Sequence, residues 1–333
     1  MNILRDSFGR TFPYIRLSIT DVCNFKCGYC LPNGYQKDKG DNRTFLSYEE
    51  IGRLAKGLSE LGVCKIRLTG GEPLVRKDII KLIHNLNLKK NKTSLKEITL
   101  TTNGTLLERF SEDLKENGIE RINVSLDTIR EDKYNAITRF GKLSKVISGI
   151  HKSINLGIKI KINVVAIKNF NENEFDELIQ WAEKLKIDVS FIEIMPMEET
   201  DSERHLQFVS LKNIFEKLNS KYNFYKIDKN TGGPSVYYKS KILSINVGFI
   251  TPITNNFCET CNRIRLSSTG KLFMCLGQNE FVDFKKILRS DRSNDFIKEK
   301  IRYALNIKPK KHDFIIDNRV KPYMRRHMNV TGG

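Results

Sequence analysis

Six of the seven cysteines fall into two sets of three. Cys23, Cys27 and Cys30 lie in TDVCNFKCGYC with the spacing C-x3-C-x2-C. Cys258, Cys261 and Cys275 lie far downstream in FCETCNRIRLSSTGKLFMC. A cubane iron–sulfur cluster needs four thiolates to saturate its irons, so three from one loop leave one iron open, and an open iron is a reaction site. Zinc in the first set would lack a fourth ligand, because no histidine occurs between Met1 and His84. In the second set His312 or His327 could complete a Cys3His zinc site, and spacing alone leaves that choice open. Cys64 stands apart, just ahead of KIRLTG, and reads as a small buried apolar residue.

The segments that must position these cysteines alternate in type. Short β-branched runs (YIRLSIT, KIRLTG, EITLTTN, RINVSLD, KIKINVVAI, VSFIEIM) are separated by amphipathic stretches at 47–62, 77–87, 106–117, 142–156 and 171–186. Six strands in repeated βα units predict a parallel sheet with right-handed crossovers, an incomplete (β/α)6 TIM-like barrel short of the eight strands that close one. Function in such folds gathers where strands end, and TDVCNFKC, TGGEP, TTNG, SLDT and IMP all begin there. After Pro196 the rhythm breaks. A helix is predicted at 210–221, antiparallel strands in SVYYKSKILSINVGFI and RIRLSSTGKLFMCL with a hairpin at SSTGK, then helices near 281–289 and 293–305. The organisation predicted is a barrel region, 1–196, and a C-terminal α+β region, 197–333, carrying the second cysteine set. Residues 36–43, QKDKGDNR, read as a mobile loop.

Composition sets outer limits. The chain has 333 residues with 39% hydrophobic content, enough for a sizeable core. No apolar run approaches the roughly 20 residues of a membrane helix, and the charged start MNILRDSFGR lacks a signal-peptide core, so a cytoplasmic location is expected. Thiols there stay reduced, which favours ligands over disulfides. The net charge of +18 predicts attraction to polyanions, and most of it is expected on solvated faces.

With Tyr29 just before its last cysteine, the first set resembles the signature of the radical S-adenosylmethionine (SAM) enzymes. The resemblance implies a [4Fe-4S] cluster whose open iron takes the methionine amine and carboxylate of SAM, and a 5′-deoxyadenosyl radical as the product of its reductive cleavage. It also implies roles at the other strand ends. Gly70 and Gly71 would let backbone approach the methionine amine, Glu72 would add an acceptor, and Ser125 and Met195 would contact methionine and adenine. Read singly, each is ordinary turn or core material.

The second set, in FCETCNRIRLSSTGKLFMCL, is similar to the second-cluster segment of the GTP 3′,8-cyclase family, which begins molybdenum-cofactor synthesis, and the likeness runs from LRDSFGR to Gly332-Gly333. It implies a second [4Fe-4S] cluster that binds guanine through its open iron, GTP as substrate, and cations for the triphosphate at Arg16, Lys65, Arg67, Arg263 and Arg265. Arg263 and Arg265 would also stabilise the intermediate as catalytic residues. Because alternate strand residues share a face, Lys65 and Arg67 point together, as do Arg263 and Arg265. Thr101 and Lys161 match further nucleotide contacts, and the Gly-Gly tail is expected to reach the active site. The family implies a reductant protein, a downstream cyclic pyranopterin monophosphate synthase and a homodimer, with neither nucleic acid nor membrane as partner. Val22 and Ser190 depart from the family pattern, each standing where an arginine is usual. Two other readings compete with this one: a radical SAM peptide maturase, whose C-terminal modules usually carry more cysteines, and a zinc-stabilised nucleic-acid-binding protein drawing on the charge.

Overall fold

Parallel strands covered on both faces usually read as continuous apolar runs, yet the strands here alternate strictly, as in Tyr-Ile-Arg-Leu-Ser and Lys-Ile-Arg-Leu-Thr. The computed structural model accounts for this. It describes residues 3–31, 34, 44–90, 92–195, 204–290, 292–312, 314 and 326–332. In chain order the first region contains β1 (Tyr14–Ser18), α1 (Tyr48–Glu60), β2 (Lys65–Thr69), α2 (Ile79–Asn87), β3 (Glu97–Thr102), α3 (Leu107–Glu116), β4 (Arg121–Ser125), α4 (Glu131–Thr138), α5 (Leu143–Asn155), β5 (Lys159–Ala166), α6 (Phe175–Lys184) and β6 (Asp188–Glu193). The six strands are parallel and stand side by side in chain order.

Register explains the alternation. Tyr14, Arg16 and Ser18 face Lys65, Arg67 and Thr69, which continue into Glu97 and Thr99, so polar residues form rows on one face. The intervening Ile15, Ile66, Ile98, Leu17, Leu68 and Leu100 join the helix-covered core. A closed barrel fills its interior with branched apolar side chains. This half-barrel keeps a polar interior, and a cavity remains. The covering helices form for ordinary reasons: α1 begins at a capping box between Ser47 and Glu50 and buries Ile51, Leu54, Ala55 and Leu58 on one stripe.

The later chain contributes α7 (Arg204–Gln207), α8 (Leu211–Tyr222), β7 (Tyr225–Ile227), β8 (Val236–Lys239), β9 (Val247–Ile250), β10 (Arg263–Leu266), β11 (Lys271–Phe273), β12 (Phe281–Asp283), α9 (Phe284–Arg289), α10 (Asn294–Asn306) and α11 (Met328–Thr331). The antiparallel strands expected here are present as β7-β8-β9 and β10-β11-β12, but both triplets extend the same sheet. β9 joins β6 in parallel and β10 joins β1 in parallel, so the later chain flanks the half-barrel on both edges. The hairpin at SSTGK is closed by Gly270, whose φ of +86° places it in the left-handed region. Pro196, loop 36–43 and Gly333 lie outside the described residues. No helix among the described residues is long and apolar enough to cross a membrane.

Candidate active site

The polar face of the sheet lines a cavity of about 300 Å³. Cys23, Cys27 and Cys30 border it, as do Cys258, Cys261 and Cys275, which places both thiol sets on one space. Also on the wall are Arg16, Tyr29, Arg67, Gly70, Gly71, Thr101, Ser125, Lys161, Met195, Arg263 and Arg265, each singled out from sequence. Lys65 and Glu72 are not on that wall.

The first cysteine loop leaves the end of β1 and turns back on itself through Cys30 N–H to Cys27 O (3.0 Å) and Leu31 N–H to Cys27 O (2.9 Å). Phe25 N–H donates to Cys23 Sγ at 3.4 Å. The TGGE turn packs directly beneath. Gly71 N–H donates to Thr20 O (2.8 Å) and Glu72 N–H to Val22 O (2.9 Å). A Cβ on Gly70 would stand 2.3 Å from Thr20 O, and one on Gly71 would stand 2.3 Å from Val22 O. The need for glycine seen here is therefore the close approach of the cysteine loop's own backbone, a different partner from the methionine amine expected from sequence.

Glu72 is fully buried and its carboxylate is committed within the protein. Oε1 accepts from Leu74 N–H (3.0 Å) and Thr102 Oγ1 (2.8 Å), and Oε2 accepts from Asn103 N–H (2.7 Å). It ties the β2 turn to the end of β3. Burial pushes its pKa up to about 7 against the pull of these donors. Tyr29 keeps its ring on the cavity and donates its hydroxyl to Asp127 Oδ2 at 2.7 Å, while Val165 N–H donates to Asp127 Oδ1 at 2.8 Å. Burial raises Asp127 to about 6. The cysteine loop is thus anchored to β4 and β5.

At the other end the guanidinium of Arg10 donates to Cys258 O at 2.9 Å and to Pro309 O at 2.6 Å. Lys308 Nζ donates to the carbonyls of Arg263 and Met274. The thiols differ electrically, and not simply by set, since burial also raises Cys275. Burial raises Cys23 to about 11 and holds Cys27 well above the usual thiol value. Burial acts the same way on Cys261, but Arg263 and Lys308 overcome it and bring that thiol down to about 7. His312 lies beside the second set, its backbone N–H donating to Cys258 Sγ at 3.4 Å, while Phe314 N–H donates to ring Nδ1 (3.2 Å) and Nε2 faces Pro252 O (3.1 Å). All six thiols are free of disulfides. Among the described residues no three His, Cys, Asp or Glu side chains converge on one ion. A cubane cluster is larger than an ion and takes thiolates standing farther apart, so soft triads free of disulfides and bordering an open space fit it.

Between the sets lies a row of cations. Arg67 donates to Thr101 Oγ1 at 3.2 Å. Arg263 lies over the Phe257 ring at 4.6 Å, and Arg16 Nε is buried without a hydrogen-bond partner. Lys65, expected beside Arg67, does share its face, but its ammonium is paired with Glu97 (2.9 Å) and donates to Thr231 O (2.6 Å). It braces the 228–235 loop. Lys161 donates to Tyr237 Oη at 2.8 Å. Ser190, fully buried, lies 3.0 Å from Ser235 Oγ. Val22 carries the carbonyl that receives Glu72 N–H. Cys64 is half-buried with Sγ 3.5 Å from Pro13 O, apart from both sets.

The tail enters from the opposite direction. Asn329 donates to Asp21 O at 2.8 Å, and Arg265 donates to Gly332 O. Gly332 has φ of +74°, and a Cβ there would fall 1.7 Å from Thr69 Oγ1. Sequence reasoning missed Tyr14, Asp127, Tyr237 and Lys308. Strand alternation placed Tyr14 on the Arg16 face and could have found it. The other three depend on contacts between distant segments.

A six-stranded half-barrel with a three-cysteine loop at the end of its first strand is the architecture of radical SAM enzymes. Residues 17–182 match the model of the Radical SAM superfamily, and residues 187–314 match that of Molybdenum Cofactor Synthesis C. Over 335 residues the chain is 46% identical to a GTP 3′,8-cyclase of Brucella ovis, covering 98% of this chain and 95% of that one. It is 45% identical to a GTP 3′,8-cyclase of Mesorhizobium japonicum over 338 residues, covering both chains completely. The chain belongs to the GTP 3′,8-cyclase family. Membership of the radical SAM superfamily brings an iron–sulfur cluster and SAM. The fold is also like that of Streptococcus suis SuiB bound to S-adenosylmethionine, with a TM-score of 0.63 at 16% identity over 95% of this chain and 77% of that one.

Proposed function

We propose that this chain converts GTP to (8S)-3′,8-cyclo-7,8-dihydroguanosine 5′-triphosphate, the first step of molybdenum cofactor biosynthesis, with SAM and two [4Fe-4S] clusters. The observation that carries this reading is that both thiol triads and four arginines, Arg16, Arg67, Arg263 and Arg265, border one cavity. Cys23, Cys27 and Cys30 would hold the cluster that takes SAM, and Cys258, Cys261 and Cys275, in the C-terminal region 197–333, the cluster that takes guanine. The cluster and SAM, when bound, would supply the radical that removes the ribose 3′ hydrogen; that carbon would bond to guanine C8, and one electron from the reductant with one proton would complete the 7,8-dihydro product.

The protein's own work is placement. Arg16, Arg67, Arg263 and Arg265 would form the fork for the triphosphate, since planar guanidinium groups pair two oxygens at once. Thr101 would assist through Arg67, and Lys161 from the opposite strand. Arg263 and Arg265 would further stabilise the intermediate. Tyr29, Gly70, Gly71, Ser125 and Met195 would line the SAM subsite. Glu72 and Lys65 would act indirectly, through the turn and the loop they brace. A reductant protein would supply electrons, a cyclic pyranopterin monophosphate synthase would consume the product, and a homodimer in the cytoplasm is the assembly the family suggests.

Anaerobically reconstituted protein is expected to hold about eight irons per chain and to form 5′-deoxyadenosine from SAM and reductant in a GTP-dependent way. Arg265→Ala is expected to weaken GTP binding and to abolish cyclisation. Four irons per chain, or deoxyadenosine formation indifferent to GTP, refutes the two-cluster reading. Unchanged GTP affinity and cyclisation in Arg265→Ala refutes that residue's role.

A further inference from the structure

Tyr14 opens β1, and its side chain lies on the cavity face, 3% exposed, among cations. Its register partners are Lys65 on β2 and Arg263 on β10. Arg16 follows two residues later on the same face, with Arg67 and Arg265 as its own register partners. Lys65 Nζ lies 5.6 Å and Arg67 Cζ 6.0 Å from the ring centroid. Arginine and lysine carry donors only, so none of these neighbours can receive the phenolic proton through its side chain. Glu97 on β3, the register partner of Lys65, already binds Lys65 (2.9 Å) and Arg121 (2.7 Å). A phenol on the cavity wall, with cations over its ring and no acceptor among their side chains, is poised for an acceptor that arrives with the ligand.

We propose that Tyr14 is a substrate-specificity residue whose hydroxyl donates a hydrogen bond to a phosphate oxygen of the nucleoside triphosphate. This rests on the reading of the cavity as a GTP site. A phenol differs from a further arginine in two ways. It adds a donor without adding like charge to a crowded cationic row, and it can lose its proton. Burial by itself would raise the phenol's pKa, but Arg67, Arg16, Lys65 and Arg265 together bring it down to about 8. Below that value the hydroxyl donates. Above it the phenolate has no proton to give, neutralises part of the field of Arg16 and Arg67, and repels phosphate. Contact with Tyr14 should therefore favour the triphosphate at neutral pH and fade in mild alkali.

The test measures equilibrium binding of GTP and of guanosine to the anaerobically reconstituted holoprotein from pH 6.5 to 9, for wild type and Tyr14→Phe. A hydrogen bond to a charged group corresponds to a loss of roughly 10- to 100-fold, expected for GTP at pH 7 with guanosine unchanged. The wild-type advantage for GTP should begin to fall as pH passes about 8 and shrink by about ten-fold by pH 9, because the nucleotide's own titration is common to both proteins and cancels in their ratio. 3-Fluorotyrosine at position 14, which keeps the hydroxyl but is more acidic, should move that fall to lower pH. Three results overturn the proposal: Tyr14→Phe binding GTP within about two-fold of wild type, an equal loss for GTP and guanosine, or a pH profile the fluorinated side chain leaves in place. Wild-type protein that binds guanosine no less tightly than GTP refutes the phosphate reading of the cavity itself.

Discussion

Removing the Glu72 carboxylate separates a bracing role from direct contact with SAM. In Glu72→Ala the Leu74 and Asn103 N–H groups and the Thr102 hydroxyl lose the acceptor they now share at 2.7–3.0 Å. The site is fully buried, so water does not replace it without rearrangement. Each buried donor left unsatisfied costs about 1–3 kcal/mol, so the three together come to roughly 3–9 kcal/mol. That is a large share of the ~5–15 kcal/mol that typically separates folded from unfolded protein. Glu72→Gln offers a finer comparison. Its carbonyl oxygen can keep both Oε1 contacts, and its amide then faces Asn103 N–H donor to donor, a loss of about 1–3 kcal/mol. Chemical denaturation of both variants, with SAM binding measured on the folded fraction, is the assay. The expected order of stability is wild type, then Gln, then Ala, with SAM affinity in Glu72→Gln changing little. A Gln variant as stable as wild type that binds SAM far more weakly refutes the bracing role and restores Glu72 to direct contact.

Two further outcomes are expected. Gly332→Ala cannot seat the tail, because the added Cβ would fall 1.7 Å from Thr69 Oγ1 at a φ of +74°; limited proteolysis should cut the C-terminal segment faster in the variant, and equal rates would count against the observed docking. In cluster-free protein at pH 8, Cys261, with its pKa near 7, is mostly thiolate, whereas Cys23, near 11, is mostly thiol. Iodoacetamide should label Cys261 well before Cys23, and peptide mass spectrometry showing the reverse order would refute this electrical contrast.

The six βα units and the polar rows of the strands were legible because side-chain period is a local property. Lys65 and Glu72 show where local reading stops. Glu97 lies directly opposite Lys65 only once β2 and β3 are in register, and the acceptor role of Glu72 depends on the end of β3 returning to the β2 turn. Helix α4 was missed because EDKYNAIT buries only Tyr134 and Thr138, too few for an apolar stripe, although Tyr134 meets Phe25 of the cysteine loop edge-on at 6.2 Å. The C-terminal region read correctly as antiparallel strands, but nothing local tells β9 and β10 that their free edges belong beside β6 and β1.

The pairing of β1 with β10 has a consequence for synthesis. Tyr14 waits for Arg263, about 250 residues later in the chain. At roughly 5–20 residues per second that interval lasts on the order of 10–50 s. During it, the nascent β1 edge has open hydrogen-bonding groups that another strand could capture. The loop bearing Cys23, Cys27 and Cys30 emerges from the ribosome within the same window, ahead of the segment that carries Cys258, Cys261 and Cys275. Iron delivered during translation would therefore meet the first thiol set alone, whereas after release both sets stand on one cavity.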